Sequence, residues 1–393
     1  MMRELRHLLT ACAAGLVLSL GACAAEENGD VVAIGYSGPL SGGAALYGRN
    51  AQSGLQMAVD EINAAGGIEV DGRQVRIELV SLDDRYLPNE TATNARRLLQ
   101  QNRTPVIFVS HAGGILALQG MNTRDPTFLL MAYSSEPSIL DAGNPLTVMI
   151  PPRYDGYAPP FVETTMRRFG TRLGLLPTTT TYGRAWTEVV SAEWRRQGGE
   201  VLRDHGLDYN TTTDFTAAVS RALADNPDVL FIGGPSQPTA LVVRAAREQG
   251  FQGGFLMMDQ PKMEEMIDII SIEMLEGAVG VHPQETYPGP GVAQFVERYY
   301  ERFGPDARPA VSEMALNYQA LHTVATAMSL AGTTTGAAAI RAQMDAAARQ
   351  APESARLLDF SGVAASGYIA RQVYAAQVVD GEFVAFPVPP PAP

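Results

Sequence analysis

Apolar positions recur along the chain in two rhythms. Short unbroken runs have the length and bulk of strands buried on both faces: Val31 to Ile34, Val106 to Val109, Phe128 to Met131, Val229 to Ile232 and Phe255 to Met258. Over 75–79 the pattern alternates instead, with Val75, Ile77 and Leu79 separated by Arg76 and Glu78, which predicts a strand with one wet face. Between the runs the spacing lengthens to a helical period. Ala51, Leu55, Ala58, Val59 and Ile62 share one helix face, and Gly66-Gly67 stops that helix. Pro88-Asn89-Glu90 opens a second helix that continues through Leu99. Trp186, Val190 and Trp194 stripe a third, a core-facing pattern. Further helices are predicted over 161–169, 292–303, 312–330 and 337–348, with a weak strand at 173–176 and another at 277–281. Residues 368–370 and 373–379 read as a closing β-hairpin.

Strands alternating with helices predict a parallel sheet covered on both faces. The interval from Pro151-Pro152 to Pro159-Pro160 interrupts the pattern and reads as a crossover, after which the same rhythm restarts. The first half then resumes after the second is largely built. The expected fold is therefore α/β, with two doubly wound parallel-sheet lobes, an interleaved chain, a multi-strand hinge and a cleft between. The expected boundaries are 31–149 with 282–357 for lobe 1, and 150–281 with 358–386 for lobe 2. Residues 387–393 read as an extended, disordered Pro-rich tail.

Composition narrows the function. The 393 residues are 46% hydrophobic and carry a net charge of −13. No basic patch or arginine-rich arm is present, which argues against nucleic acid as a partner. Residues 1–22 read as a signal peptide: Arg3 and Arg6 precede an apolar stretch from Leu8 to Leu20, too short to span a bilayer. Leu20-Gly21-Ala22-Cys23 resembles a bacterial lipobox, which implies cleavage before Cys23, a diacylglycerol on its thiol, and residues 23–30 as a lipidated linker. Cys12 would be lost with the leader, leaving no disulfide and no cysteine metal site. The expected location is extracytoplasmic, anchored to a membrane by the lipid. The five histidines show no metal-binding spacing, and neither a GxSxG elbow nor a Walker loop occurs. The reading is accordingly not an enzyme, with no cofactor and no metal. Asp83-Asp84 reads as a capping pair in a solvated loop.

The most informative stretch is the Gly-rich turn from Ser37 to Gly48 after the opening strand, since open α/β sheets place ligands at the carboxyl ends of their strands. This turn, SGPLSGGAALYG, together with DEINAAGGI, SLDD followed by PNETAT, TTTTYG, NPDVLFIGG and RAAREQGF, resembles the periplasmic leucine/isoleucine/valine-binding proteins, type I substrate-binding proteins of ABC transporters. The resemblance runs from about Val31 to Phe383. It implies two lobes on a hinge that close on a small-molecule ligand, and an inner-membrane ABC permease as partner.

The resemblance also implies site residues. Tyr47 and Tyr182 match aromatics that pack on the ligand from opposite lobes. The turn His111-Ala112-Gly113-Gly114 matches the carboxylate-holding loop, with His111, Gly113 and Gly114 as candidates, although the family's serine is missing there. Ser135 falls near a ligand-gripping hydroxyl, Tyr133 stands where a small residue is usual, and Ser134 is equally suited to capping. Asp259, with Gln260 beside it, matches the residue that pairs with the ligand ammonium. Pro235 replaces a common aromatic. These departures point to a carboxylate- or amide-bearing ligand with an apolar or aromatic part. The alternative is a lipoprotein using the same fold as a protein-interaction or sensor module in the cell envelope.

Overall fold

The computed structural model describes residues 30–358 and 362–389. The signal peptide, Cys12, Cys23, linker residues 23–29 and tail residues 390–393 lie outside the described residues. Two sheets organise the chain. The first contains β1 (Val31–Gly38), β2 (Ile68–Val70), β3 (Arg73–Asp83), β4 (Val106–Val109), β5 (Leu129–Ala132) and β6 (Thr147–Met149), in the order β2-β3-β1-β4-β5-β6. The second contains β7 (Arg172–Pro177), β8 (Glu200–Asp204), β9 (Val229–Gly233), β10 (Gly254–Met257) and β11 (Ala278–Val281). After β12 (Gly362–Val363) and β13 (Ile369–Ala370), which pair with each other, β14 (Val373–Val379) and β15 (Glu382–Val388) return to the second sheet, whose order is β15-β14-β11-β10-β9-β7-β8.

Parallel register decides where the turns meet. β1 pairs with β3 from Val31↔Arg76 to Gly38↔Asp83, and β4 pairs with β5 from Val106↔Leu129 to Val109↔Ala132. The turns after β1, β3, β4 and β5 therefore emerge at one edge. In the second sheet, Pro177 pairs with Gly233 and Met257 with Ile232, so the turns after β7, β9 and β10 also share an edge.

The helices are α1 (Ala45–Ala64), α2 (Pro88–Asn102), α3 (Ala112–Asn122), α4 (Ser138–Asp141), α5 (Ala158–Phe169), α6 (Thr181–Arg196), α7 (Thr216–Ala224), α8 (Ser236–Glu248), α9 (Met263–Met266), α10 (Val292–Phe303), α11 (Ser312–Ala331) and α12 (Ala337–Gln350). α11 packs on α1 so closely that a Cβ on Gly54 would sit 2.1 Å from the Met314 carbonyl oxygen. The apolar faces of α1, α10, α11 and α12 join β1 and β3 in one core. A second core runs from Leu98, Ile115 and Leu118 into Trp186, Trp194 and Phe231, so apolar packing is continuous from α3 to α6. The Trp stripe is core as its spacing predicts: Trp186, Val190 and Trp194 are fully buried. Among the described residues the chain passes between the sheets three times, after β6, after β11 and before β14.

Three expectations need correction. The sheets are mixed, because β2–β3, β11–β14 and β14–β15 are antiparallel. The closing hairpin is β14–β15, turning at Asp380-Gly381, both with positive φ (52 and 76), whereas Ile369-Ala370 pairs with β12. Asp-Gly at that turn is a strong hairpin signal because both central residues need left-handed backbone. Pro387 and Val388 belong to β15, paired with Tyr374 and Val373, so they are not part of an unpacked tail. β15 is an edge strand, where a missing N–H costs no ladder bond.

Candidate functional site

The two turn-bearing edges face each other across a cavity. Lobe 1 contributes Tyr47, Tyr86, Ser110, His111, Ala112 and Tyr133 to Ser135, and the second sheet contributes Tyr182, Asp259, Gln260 and Lys262, with Pro151 from the first crossing. All but two of the predicted ligand residues line this space. The exceptions are the glycines: Gly113 lines an adjoining mouth beside Thr179 and Arg184, and Gly114 lines neither.

Each side chain is fixed by local structure. The Tyr47 hydroxyl donates to the Ser110 carbonyl at 2.7 Å, and its buried ring lines the cavity 6.1 Å from the Tyr133 ring and 6.5 Å from that of Tyr86. His111 caps α3: its Nδ1 accepts from the Gly114 N–H at 3.1 Å. That assigns the proton to Nε2, which faces Asp84 Oδ2 at 3.2 Å and Thr91 Oγ1 at 3.1 Å. Both ring nitrogens are thus engaged, and His111 shapes the wall rather than donating into the cavity. Gly114 is required by the same packing, since a Cβ there would lie 2.6 Å from Thr91 Oγ1 and 2.8 Å from the His111 ring. The first-turn N–H groups of Ala112 and Gly113 have no intrahelical acceptor, as at any helix start. Asp84 also departs from the solvated-loop reading: it is fully buried and accepts from Ser37, Thr91 and the Tyr86 N–H. Only Asp83 is exposed.

Facing this wall, Tyr182 donates to Asp259 Oδ1 and accepts from Trp186 Nε1, which also reaches Asp259 Oδ1 at 3.0 Å. Ser135 Oγ lies 3.4 Å from the Tyr182 hydroxyl and also hydrogen-bonds Asp259. Asp259 is partly open to the cavity, and burial pushes its carboxyl up to about 6 against the opposing pull of Lys262. Gln260 donates to the Tyr86 hydroxyl at 3.2 Å, while its buried Oε1 has no partner.

Lys262 was not anticipated from sequence. Its Nζ donates to the carbonyls of Asp259 and Gln260 and pairs with Glu313 of α11 at 2.9 Å, both side chains being nearly fully buried. Burial lowers the Lys262 pKa, but Glu313 and Asp259 outweigh it and hold it above the usual lysine value. Burial likewise raises Glu313 to about 7 despite the ammonium. Asn50 of α1 donates to Glu265 of α9 at 2.7 Å, and the Gly43 N–H donates to the Asn210 carbonyl at 3.1 Å. With Gln260–Tyr86 and Ser135–Tyr182, these contacts join the two edges directly, so the structure is closed over its cavity. Tyr86 is the other omission: it is held at φ 65 and stacks on His111 at 4.7 Å. Among the described residues, no group of three or more His, Asp or Glu could hold a metal ion, and no helix is long and apolar enough to cross a membrane.

A family model described as periplasmic binding protein matches residues 31–382. The chain belongs to the periplasmic binding proteins. This is a substrate-binding rather than an enzyme family, and the resemblance read from the motifs stands. An amino acid binding protein of Pseudomonas aeruginosa is 25% identical over 60% of this chain and 62% of its own length, so that match spans less than two thirds of the relative. Leu/Ile/Val-binding protein homolog 7 of Brucella abortus is 25% identical over 75% of this chain and 76% of its own. The fold is shared with the LivJ substrate-binding protein of Streptococcus pneumoniae, solved with isoleucine, at a TM-score of 0.74 and 21% identity, covering 91% of this chain and 99% of that one. A solute binding protein of Rhodopseudomonas palustris, solved with 3,4-dihydroxybenzoic acid, superposes at 0.75 with 17% identity, covering 92% and 99%. The interleaved two-lobe arrangement of this binding protein is thus common to relatives whose bound solutes differ widely in chemistry.

Proposed function

We propose that this binding protein captures a small amino-acid-like or carboxylate/amide-bearing solute between its lobes and delivers it to an inner-membrane ABC permease, tethered through lipid on Cys23. The observation that carries the reading is one cavity lined both by a partly open Asp259 carboxylate and by Ala112 at the start of α3 together with Ser134. A ligand ammonium pairs with Asp259, and a carboxylate or amide oxygen meets the first-turn N–H groups of α3 and the Ser134 hydroxyl. Tyr47, Tyr86, Tyr133 and Tyr182 supply flat apolar surface between these poles. His111 and Gly114 hold the wall in place, Gly113 borders the mouth, and Gln260 offers a free acceptor.

The names of the relatives, which include an amino acid binding protein and proteins solved with isoleucine and with an aromatic acid, support a solute of this size range. A cleft collapsed and filled by Tyr133 would favour the protein-interaction reading; capture of a ligand, for transport or for sensing, is favoured because Tyr133 lines the space without occupying it. The test is a thermal-shift screen of the mature protein against amino acids, amides, aromatic acids and short peptides. A ligand raises the melting temperature by mass action. Stabilisation by plain branched-chain amino acids alone, with none by larger compounds, would overturn the ligand class, and no stabilisation by any compound would overturn solute capture.

A further inference from the structure

A second cavity adjoins the first, and Tyr133, Pro151, Asp259 and Lys262 are walls of both. Its remaining lining comes from every passage between the lobes: Pro152 and Tyr157 from the first, His282 and Tyr287 from the second, and Tyr374 from the third, with Leu316 of α11 behind. The chamber is therefore enclosed by the hinge itself. Four tyrosines, Tyr133, Tyr157, Tyr287 and Tyr374, contribute to its walls, with Tyr287 edge-on to Tyr374 at 5.7 Å and to His282 at 5.7 Å. Tyr133 stands between the chambers, packed on Tyr47 at 6.1 Å on one side and hydrogen-bonded to Ser312 on the other.

Two polar groups in this chamber have unspent capacity. Gln284 is 1% exposed and its Nε2 has no acceptor. His282 Nδ1 lies 2.8 Å from the Pro283 carbonyl, which fixes the proton on Nδ1 and leaves Nε2 as an acceptor. Burial lowers the His282 pKa, which keeps the ring neutral. A buried donor left unpaired costs free energy that a ligand oxygen recovers.

Resting on the amino-acid reading of the first chamber, we propose that the hinge chamber receives the tail of the same ligand, and that the ligand class is an α-amino acid with a long aromatic tail bearing an ether, hydroxyl or carbonyl oxygen. The head pairs with Asp259 at the junction, the tail passes Tyr133, and the tail oxygen accepts from Gln284. Because the tail touches all three passages, the length of the ligand governs how well the lobes close. A ligand that ends at Tyr133 leaves the aromatic chamber and the Gln284 donor unfilled.

The test is isothermal titration of the mature protein with L-alanine, L-phenylalanine and O-benzyl-L-tyrosine. The Kd is expected to fall at least tenfold from the first to the second and tenfold again to the third. Leu316→Trp, which fills the hinge chamber, should erase the advantage of O-benzyl-L-tyrosine while leaving L-alanine within twofold of wild type. Gln284→Leu, a milder change at the same chamber, should weaken O-benzyl-L-tyrosine about fivefold and leave L-phenylalanine unchanged; this second variant keeps the test intact should Leu316→Trp fail to fold. Equal affinities along the series, or losses shared by all three ligands in Gln284→Leu, would overturn the hinge-chamber inference alone. Binding of none of the three would overturn the amino-acid reading of the first chamber, and this inference with it.

Discussion

Glu313→Gln is expected to weaken closure of the lobes rather than the stability of either one. The Lys262–Glu313 pair joins a turn of the second sheet to a helix of the first lobe at 2.9 Å, with both side chains almost fully buried. At that distance and an effective dielectric of about 20, the gross attraction is about 6 kcal/mol. Taking both ions out of water costs several kcal/mol each, so the intact pair contributes little net. Removing one partner is different, because Lys262 then remains buried with the carbonyls of Asp259 and Gln260 and the Asp259 carboxylate for company. The expected cost is about 3 kcal/mol, the low end for a broken buried pair. Opening the lobes hydrates Lys262, so that cost falls on the closed state, and the apparent Kd for ligand rises by roughly 100-fold through the smaller closed population. Spin labels at exposed Gln101 and Glu248, in a background with Cys23 replaced by serine, report the inter-lobe distance directly. Glu313→Gln should shift the distance distribution toward the open form, and Lys262→Met with Glu313→Leu should restore closure by removing both charges. An unchanged distribution in the single variant, or a double variant as open as the single, would show that the Lys262–Glu313 pair does not hold the lobes closed.

Three further outcomes follow from the packing and the charges. Gly54→Ala drives a methyl into the Met314 carbonyl and should destabilise lobe 1 by about 2–4 kcal/mol, read as a lower denaturation midpoint with unchanged slope. His111→Ala removes the α3 cap and strands buried Asp84 and Thr91, so it should cost about 1–3 kcal/mol of stability; loss of ligand binding with an unchanged melting temperature would instead make His111 a direct ligand contact. Burial raises Glu264 to about 8, with Lys262 and Glu265 as its charged neighbours. The folded protein therefore binds more protons than the unfolded chain between the ordinary value of 4.5 and about 8, and stability should fall as pH rises through that window, by at most about 1.4 kcal/mol per pH unit. Asp259 and Glu313, raised to about 6 and about 7, add slope of the same sign, so Glu264→Gln should make the profile of melting temperature against pH shallower, and an unchanged slope would assign it to those two groups.

What the sequence made legible was what local chemistry encodes. The runs Val106 to Val109 and Val229 to Ile232 announced central strands because they are apolar on both faces, and they are fully buried. β8 gave no signal because Glu200-Val201-Leu202-Arg203-Asp204 is a polar edge strand with mostly exposed positions. The true closing hairpin was readable at Asp380-Gly381 but was masked by the apolar run at 368–370. In the site, Tyr47, Tyr133, Ser135, Tyr182 and Asp259 could be placed because each ends a strand or opens a helix at a sheet edge. Lys262 and Glu313 could not, since their pairing depends on closure of the lobes and joins residues far apart in the chain. Nor could Tyr86, whose position depends on a left-handed backbone stacked on His111. His111 carries a similar lesson: its type suggested a donor to ligand, whereas its capping bond to Gly114 and its contact with Asp84 spend both nitrogens.

The role proposed for Asp259 is to hold a ligand ammonium in the closed inter-lobe cavity. Its most direct test is the affinity of the strongest amino-acid ligand, measured by calorimetry near pH 8 and near pH 5 for wild type and Asp259→Asn. With the Asp259 carboxyl at about 6, wild type should bind tightly near pH 8 and lose affinity near pH 5 as the carboxylate is protonated. Asp259→Asn should bind weakly at both. Equal affinity of the two proteins near pH 8 would contradict the account.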